Sequence, residues 1–169
     1  MSNKAKFSVI LLTASAAFFV HVKNKEGYTS YPVVPVPGDR PTQGHGSTFK
    51  PDGTAVKMSD PPISRETADK WLPNDVSKRE VAFKNSLKGV KLSQAEYDIY
   101  LDFSYQYGTL AFANSSMLRN LKQGKYKAAC DSLLKYKYVA GRDCSIRSNG
   151  CYGVWIRQVE RHKKCLGAN

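Results

Sequence analysis

Acidic residues are scarce in this chain: 14 Asp and Glu stand against 26 Lys and Arg, a formal net charge of +12. The field is therefore positive and draws polyanions by long-range steering. Nucleic acid, an anionic bilayer and the acidic bacterial envelope all qualify, so charge alone does not choose among them. Histidine is scarcer still. His21, His45 and His162 are scattered, with no H-E-x-x-H pattern, which excludes a zinc-protease site and leaves no metal constellation. Cysteine is absent from the first 129 residues, and Cys130, Cys144, Cys151 and Cys165 contain no C-x-x-C knuckle, so disulfides in an oxidising compartment suit them better than zinc. Four cysteines allow three pairings. Glycine-rich phosphate loops and internal repeats are also missing, and neither cofactor nor metal is implied. With 41% hydrophobic and 24% charged residues the composition is globular, and 169 residues suffice for one domain with a real core.

No apolar run reaches the roughly 20 residues a bilayer normally requires. What is there instead is shorter. Lys4 and Lys6 precede Phe7–Val20, then His21, Val22 and Lys23, with Ser8, Thr13, Ser15 and several alanines diluting the stretch. A basic flank before such a run has the form of an export signal. Residues 1–22 are expected to act as a signal-anchor and residues 23–169 as the functional domain. A signal peptide cleaved at Ala14-Ser15-Ala16 and a buried N-terminal helix are the competing readings.

Beyond it, residues 26–63 are rich in Gly, Pro, Tyr, Val and Thr. Pro37-Gly38-Asp39 and Pro51-Asp52-Gly53 separate two β-prone runs, Tyr31–Val36 and Ala55–Met58, which predicts a small antiparallel sheet of two or three strands. From Ser64 the pattern turns helical, with Pro73 set to kink or break the first helix. Ser93-Gln-Ala-Glu96 is a capping box, with Leu92 placed to staple onto Tyr97; Ile99, Tyr100, Phe103 and Tyr107 follow at helical spacing until Gly108. Helices are predicted over Ser116–Gln123, Tyr126–Tyr136 and Val154–Cys165. A small sheet followed by a helical bundle makes an α+β fold.

These pieces, in this order, resemble the phage lysozyme family, glycoside hydrolase family 24. Glu26-Gly27 stands just after the first helix-like segment as the family's catalytic Glu-Gly does, and Thr42-Gln-Gly-His45-Gly46-Ser-Thr48 is similar to its Thr strand. Ile63–Ala68 through Asn74-Asp75-Val76 is similar to its next helix. Phe103-Ser-Tyr-Gln106-Tyr-Gly108, Asn114-Ser115-Ser116-Met117-Leu118 and Gln123-Gly124 resemble its central helix and the turn after it. Ala129-Cys130-Asp131 and Gly153-x-x-x-Arg157, running on to Cys165, resemble the closing helices of periplasmic members. The resemblance implies a lysozyme-like fold, a muramidase activity on peptidoglycan and a monomer. It also implies the pairs Cys130–Cys165 and Cys144–Cys151.

One departure stands out. The family usually carries Asp or Cys nine residues after the Glu, and Thr about fifteen after it. Here Pro35 holds the first position and Thr42 lies sixteen residues on, leaving Asp39 as the carboxylate of that loop. Asp39 is either a displaced catalytic group or an ordinary turn Asp.

Glycoside hydrolysis needs an acid for the leaving oxygen and a group on the other face to hold water or stabilise positive charge. The resemblance assigns Glu26 to the first role and the Thr42 hydroxyl to the second, as in an inverting reaction. Against this stand two bland readings: a surface carboxylate among Lys23 and Lys25, and a β-branched strand residue. Gln106, Asn114 and Ser115 are candidate sugar contacts, since amides and hydroxyls match acetamido and hydroxyl groups. Arg157 either pairs with a carboxylate or is a solvated helix charge, and His45 reads as structural. The N-terminus resembles the signal-arrest-release type, which implies tethering in the host inner membrane through residues 7–22 and later release into the periplasm. Three rival functions remain open. A lytic transglycosylase needs one acid and no positioned water. A non-catalytic peptidoglycan-binding module is the second. The third is a nucleic-acid binder built on the Lys- and Tyr-rich stretch Arg119–Arg142, which the export-like N-terminus disfavours; no nucleic-acid partner is expected.

Overall fold

In a computed structural model, which describes residues 5–35 and 38–169, the chain divides into two units, residues 14–82 and residues 5–13 together with 83–169. In the first, Ser15 caps α1 (Ala16–Glu26) by accepting a hydrogen bond from Phe18 N–H at 3.1 Å. Gly27 ends the helix at φ +72°, a conformation that costs glycine little. Strand β2 (Thr29–Val33) pairs antiparallel with β3 (Thr42–Gly44), Thr29 opposite Gly44 and Val33 opposite Thr42. The unequal strand lengths are absorbed by an irregularity between Thr29 and Val33. Gln43 is buried, and its amide donates to Ser30 O (2.7 Å) and Pro61 O (2.9 Å), tying the hairpin to the chain that follows it.

The expected strand over Ala55–Met58 does not form. Only an isolated bridge between Phe49 and Ala55 is present, because Asp60 accepts from Lys57 N–H at 2.8 Å and curls the chain into a turn. The sheet is thus two-stranded. Val36 and Pro37, parts of the predicted run and turn, lie outside the described residues.

Helix α2 (Arg65–Ser86) starts on Ser64, whose hydroxyl accepts from Thr67 N–H at 3.1 Å. It runs unbroken through Pro73. Proline there removes one backbone bond and its ring crowds the carbonyl four residues back. Pro73 is exposed, so water can serve that carbonyl, while Ala68, Leu72 and Val76 hold the opposite stripe in the core. Gly44 rests on this stripe: a side chain on it would come within 2.9 Å of the Ala68 Cβ.

In the second unit β1 (Phe7–Ser8) pairs antiparallel with β4 (Lys91–Leu92), and a 3-10 turn, Val9–Leu11, follows with Val9 and Leu12 buried. The apolar N-terminal segment is therefore broken into strand, turn and the start of α1. Among the described residues no helix is long and apolar enough to cross a membrane. Helix α3 (Gln94–Tyr107) has both bonds of the capping box, Glu96 N–H to Ser93 Oγ (3.3 Å) and Ser93 N–H to Glu96 Oε2 (2.8 Å). It is the unit's axis, buried at Ile99–Tyr105 without a break. Around it lie α4 (Thr109–Ala113), α5 (Ser116–Lys122), α6 (Tyr126–Ser132), the short hairpin β5 (Tyr138–Val139) and β6 (Arg142–Asp143), and α7 (Tyr152–Ala168).

Three helical boundaries differ from expectation. Helix α4 follows Gly108 at once, since Gly108 at φ +92° redirects the chain and so separates two helices. The run predicted from Tyr126 to Tyr136 gives way at Leu133 to a 3-10 turn. Helix α7 starts two residues earlier and continues through Gly167 to the buried Ala168. Phe83, Tyr97, Tyr100, Phe103 and Phe112 form an aromatic core with ring centroids 4.9–6.4 Å apart, within the range of favourable edge and offset contacts. Cys130 is bonded to Cys165 and Cys144 to Cys151, with Cα–Cα distances of 5.5 and 4.9 Å.

Candidate active site

The three candidate catalytic residues all belong to the unit of residues 14–82. Glu26 is the last residue of α1 and is exposed. Thr42 opens β3, and its hydroxyl donates to Val33 O at 3.4 Å, a long bond that leaves the oxygen's lone pairs available as acceptors. Asp39 lies exposed on the loop before β3.

Behind the end of α1 sits His45, 1% exposed. Its Nδ1 bonds the carbonyl oxygen of Gly27, the residue after Glu26, and its Nε2 lies 2.7 Å from Asp69 Oδ1 on α2. Asp69 Oδ2 also takes Lys23 Nζ at 2.8 Å, from the last turn of α1. The hydrogen bond from Lys23, then that from His45, holds the Asp69 carboxyl below the usual carboxylate range. His45 is structural, as its sequence context suggested. Its partners were not anticipated, because Asp69 is 24 residues away and no local pattern links them.

The candidate sugar contacts lie in the other unit. Gln106 is half-buried near the end of α3, and its Oε1 is buried with no hydrogen-bond partner among the described residues. Asn114 is exposed at the end of α4. Ser115 is only 1% exposed; its hydroxyl caps α5 by accepting from Leu118 N–H at 3.1 Å. The cap fixes the turn between α4 and α5 on which Asn114 also stands. Arg157 is a paired charge: it meets Asp102 at 2.8 Å, and Arg161 binds the other oxygen of the same carboxylate. Burial draws the Arg161 guanidinium below its ordinary range, opposed by Asp102. No group of His, Cys, Asp and Glu fit for a metal occurs among the described residues.

A helix ending in Glu-Gly, a Thr-bearing hairpin after it, and a long central helix with a disulfide-closed bundle are the parts of a lysozyme. The family's sequence model, Phage lysozyme, matches residues 23–150. The endolysin of Salmonella phage P22 is 39% identical over 106 residues, covering 63% of this chain and 70% of its own. A SAR-endolysin of Escherichia phage 933W is 41% identical over 54 residues, 31% of this chain and 30% of its own. The crystal structure of a P22 lysozyme variant superposes with a TM-score of 0.73 at 29% identity, covering 92% of this chain and 99% of that one. The chain belongs to the phage lysozyme family. It is an enzyme of the lysozyme type, with a peptidoglycan-degrading function.

Proposed function

We propose that the chain is an endolysin that hydrolyses the β-1,4 bond between N-acetylmuramic acid and N-acetylglucosamine with Glu26 as its acid. Membership of the family, with Glu26-Gly27 at the end of α1 and Thr42 on the hairpin that follows, is the observation that carries this reading. Glu26 gives its proton to the glycosidic oxygen as the bond from the anomeric carbon to that oxygen breaks. The Thr42 oxygen accepts a hydrogen bond from a water molecule and aims its lone pair at the anomeric carbon from the opposite face. That water forms the new bond and releases its second proton to Asp39 or to solvent, inverting the configuration. In the other unit, Gln106, Asn114 and Ser115 are the proposed sugar contacts, since amides and hydroxyls match acetamido and hydroxyl groups. Glu26→Gln should stop hydrolysis of purified peptidoglycan while the protein stays folded. Full activity in that variant removes Glu26 from the reaction.

Residues 7–22 are proposed to tether the chain in the host inner membrane before its release into the periplasm. The basic flank, the diluted apolar run and the SAR-endolysin relatives support this. Segment 5–13 as strand and turn, and 16–26 as α1, then represent the released form. Fractionation of expressing cells before and after an uncoupler tests it: full-length chain should move from membrane to soluble periplasm. A soluble product shortened by about twenty residues would instead mark ordinary signal cleavage.

A further inference from the structure

A catalytic acid at the exposed end of a short helix has a mechanical problem. Helix ends fray, and a side chain on the last residue inherits every movement of the backbone beneath it. Glu26 stands in that position, followed by Gly27 at φ +72° with nothing within 4 Å of where a Cβ would lie. The glycine's own stereochemistry does not hold this joint.

Hydrogen bonds hold it instead, in a closed circuit. Lys23, three residues before Glu26, reaches Asp69 Oδ2 on α2 at 2.8 Å. Asp69 Oδ1 meets His45 Nε2 at 2.7 Å, and His45 Nδ1 returns to the carbonyl of Gly27, one residue after Glu26. The end of α1 is therefore gripped on both sides of the acid. His45 is also the residue that follows β3, three positions beyond Thr42. One buried imidazole thus connects the backbone beneath the acid to the strand that bears the water-holding hydroxyl. Gly44, between them, fits against Ala68 with no room for a side chain, so the strand has little freedom to slide on α2.

From this geometry we infer that His45 is a positioning residue for catalysis: through its Nδ1 bond to Gly27 it sets the place of Glu26 relative to Thr42, with Asp69 orienting the ring. Both ring nitrogens are held, one at a carbonyl and one at a carboxylate. The inference rests on Glu26 as the acid, and it assigns no proton transfer to His45, which is buried and committed at both nitrogens.

Two substitutions separate the ring's two bonds. In His45→Asn the amide nitrogen falls near the position of Nδ1 and still donates to Gly27; in His45→Gln it falls near Nε2 and serves Asp69 instead. Both lose packing, and both are to be assayed on purified peptidoglycan as kcat and KM per folded molecule, with folded fraction taken from near-ultraviolet circular dichroism. His45→Gln should lower kcat roughly ten- to hundredfold with KM little changed, the cost of an acid misplaced by about an ångström. His45→Asn should keep most of kcat whatever its stability. Asp69→Asn, at a half-exposed position, should lower kcat less than His45→Gln does. Equal kcat per folded molecule in His45→Gln and wild type, or in Asp69→Asn and wild type should His45→Gln not fold, overturns the inference and leaves His45 a stability residue. Glu26→Gln assayed alongside keeps the two readings apart. If it is inactive while the His45 variants are normal, only the positioning role fails; if it is active, the acid assignment fails first.

Discussion

Lys6 donates to a carboxylate oxygen of Glu96, and the Glu96 side chain is fully buried. Lys6 also bonds Asn169 Oδ1 at 3.2 Å and lies 3.9 Å from the centroid of the Tyr126 ring. A residue of the basic flank of the N-terminal segment therefore neutralises the carboxylate that closes the capping box of α3. Removing one partner of a buried pair leaves an uncompensated charge, at a cost of about 3 kcal/mol. Lys6→Met should lower the urea-unfolding free energy by about that amount, and adding Glu96→Gln should restore part of it. A loss below about 0.5 kcal/mol in the single variant would show that Glu96 finds its compensation elsewhere.

Thr42→Ala should cut the rate of peptidoglycan hydrolysis by about two orders of magnitude, the usual scale for a group that acts on a proton or water in the transition state. Asp39→Asn divides the roles of the loop. A similar fall makes Asp39 the acceptor of the water's proton, and an unchanged rate makes it a turn residue. Mass spectrometry of the products should show reducing ends; 1,6-anhydro ends would identify a lytic transglycosylase and dispense with the water at Thr42.

The two disulfides close loops of unequal length, 35 residues for Cys130–Cys165 and 7 for Cys144–Cys151. On chain-entropy grounds the long one contributes about 4 kcal/mol and the short one about 2 kcal/mol. The Cys130→Ala/Cys165→Ala protein should therefore unfold at clearly lower denaturant than the Cys144→Ala/Cys151→Ala protein. The reverse order would place the dominant constraint in the short hairpin region.

Acid should weaken the fold through specific carboxylates. Lys137 and then Ser145 lower the Asp143 carboxyl from 3.8 to about 2, and Asp131 is lowered by His162 and Lys127. A depressed folded-state value gives stability that is present above the unfolded value and disappears as pH falls through the folded one. Stability should thus decline from about pH 4 towards pH 2. Asp143→Asn should flatten part of that decline; an unaltered slope would mean the Lys137 pair carries no linkage.

Gly44→Ala adds a methyl 2.9 Å from the Ala68 Cβ, at a backbone φ of +69°. Overpacking of this kind costs about 1–3 kcal/mol. The double variant Gly44→Ala/Ala68→Gly should regain the part due to the clash and not the part due to φ, as read from thermal unfolding.

Local signals were the ones that sequence alone determined. The capping box at Ser93 and Glu96, the stop at Gly108, and the order of Glu26-Gly27, Thr42 and the Phe103–Gly108 stretch act within a few residues, so they were legible without a fold. Other features depended on partners far along the chain. Pro73 stays inside α2 because the stripe at Ala68, Leu72 and Val76 is buried and the proline is not. Ala55–Met58 turns because Asp60 captures Lys57. Ser115 is a cap and not a surface hydroxyl, and His45 finds Gly27 and Asp69 only when α1, β3 and α2 have come together. Hydrogen bonds and burial between distant segments are decided by tertiary packing, since an isolated stretch of chain has water for every partner it lacks.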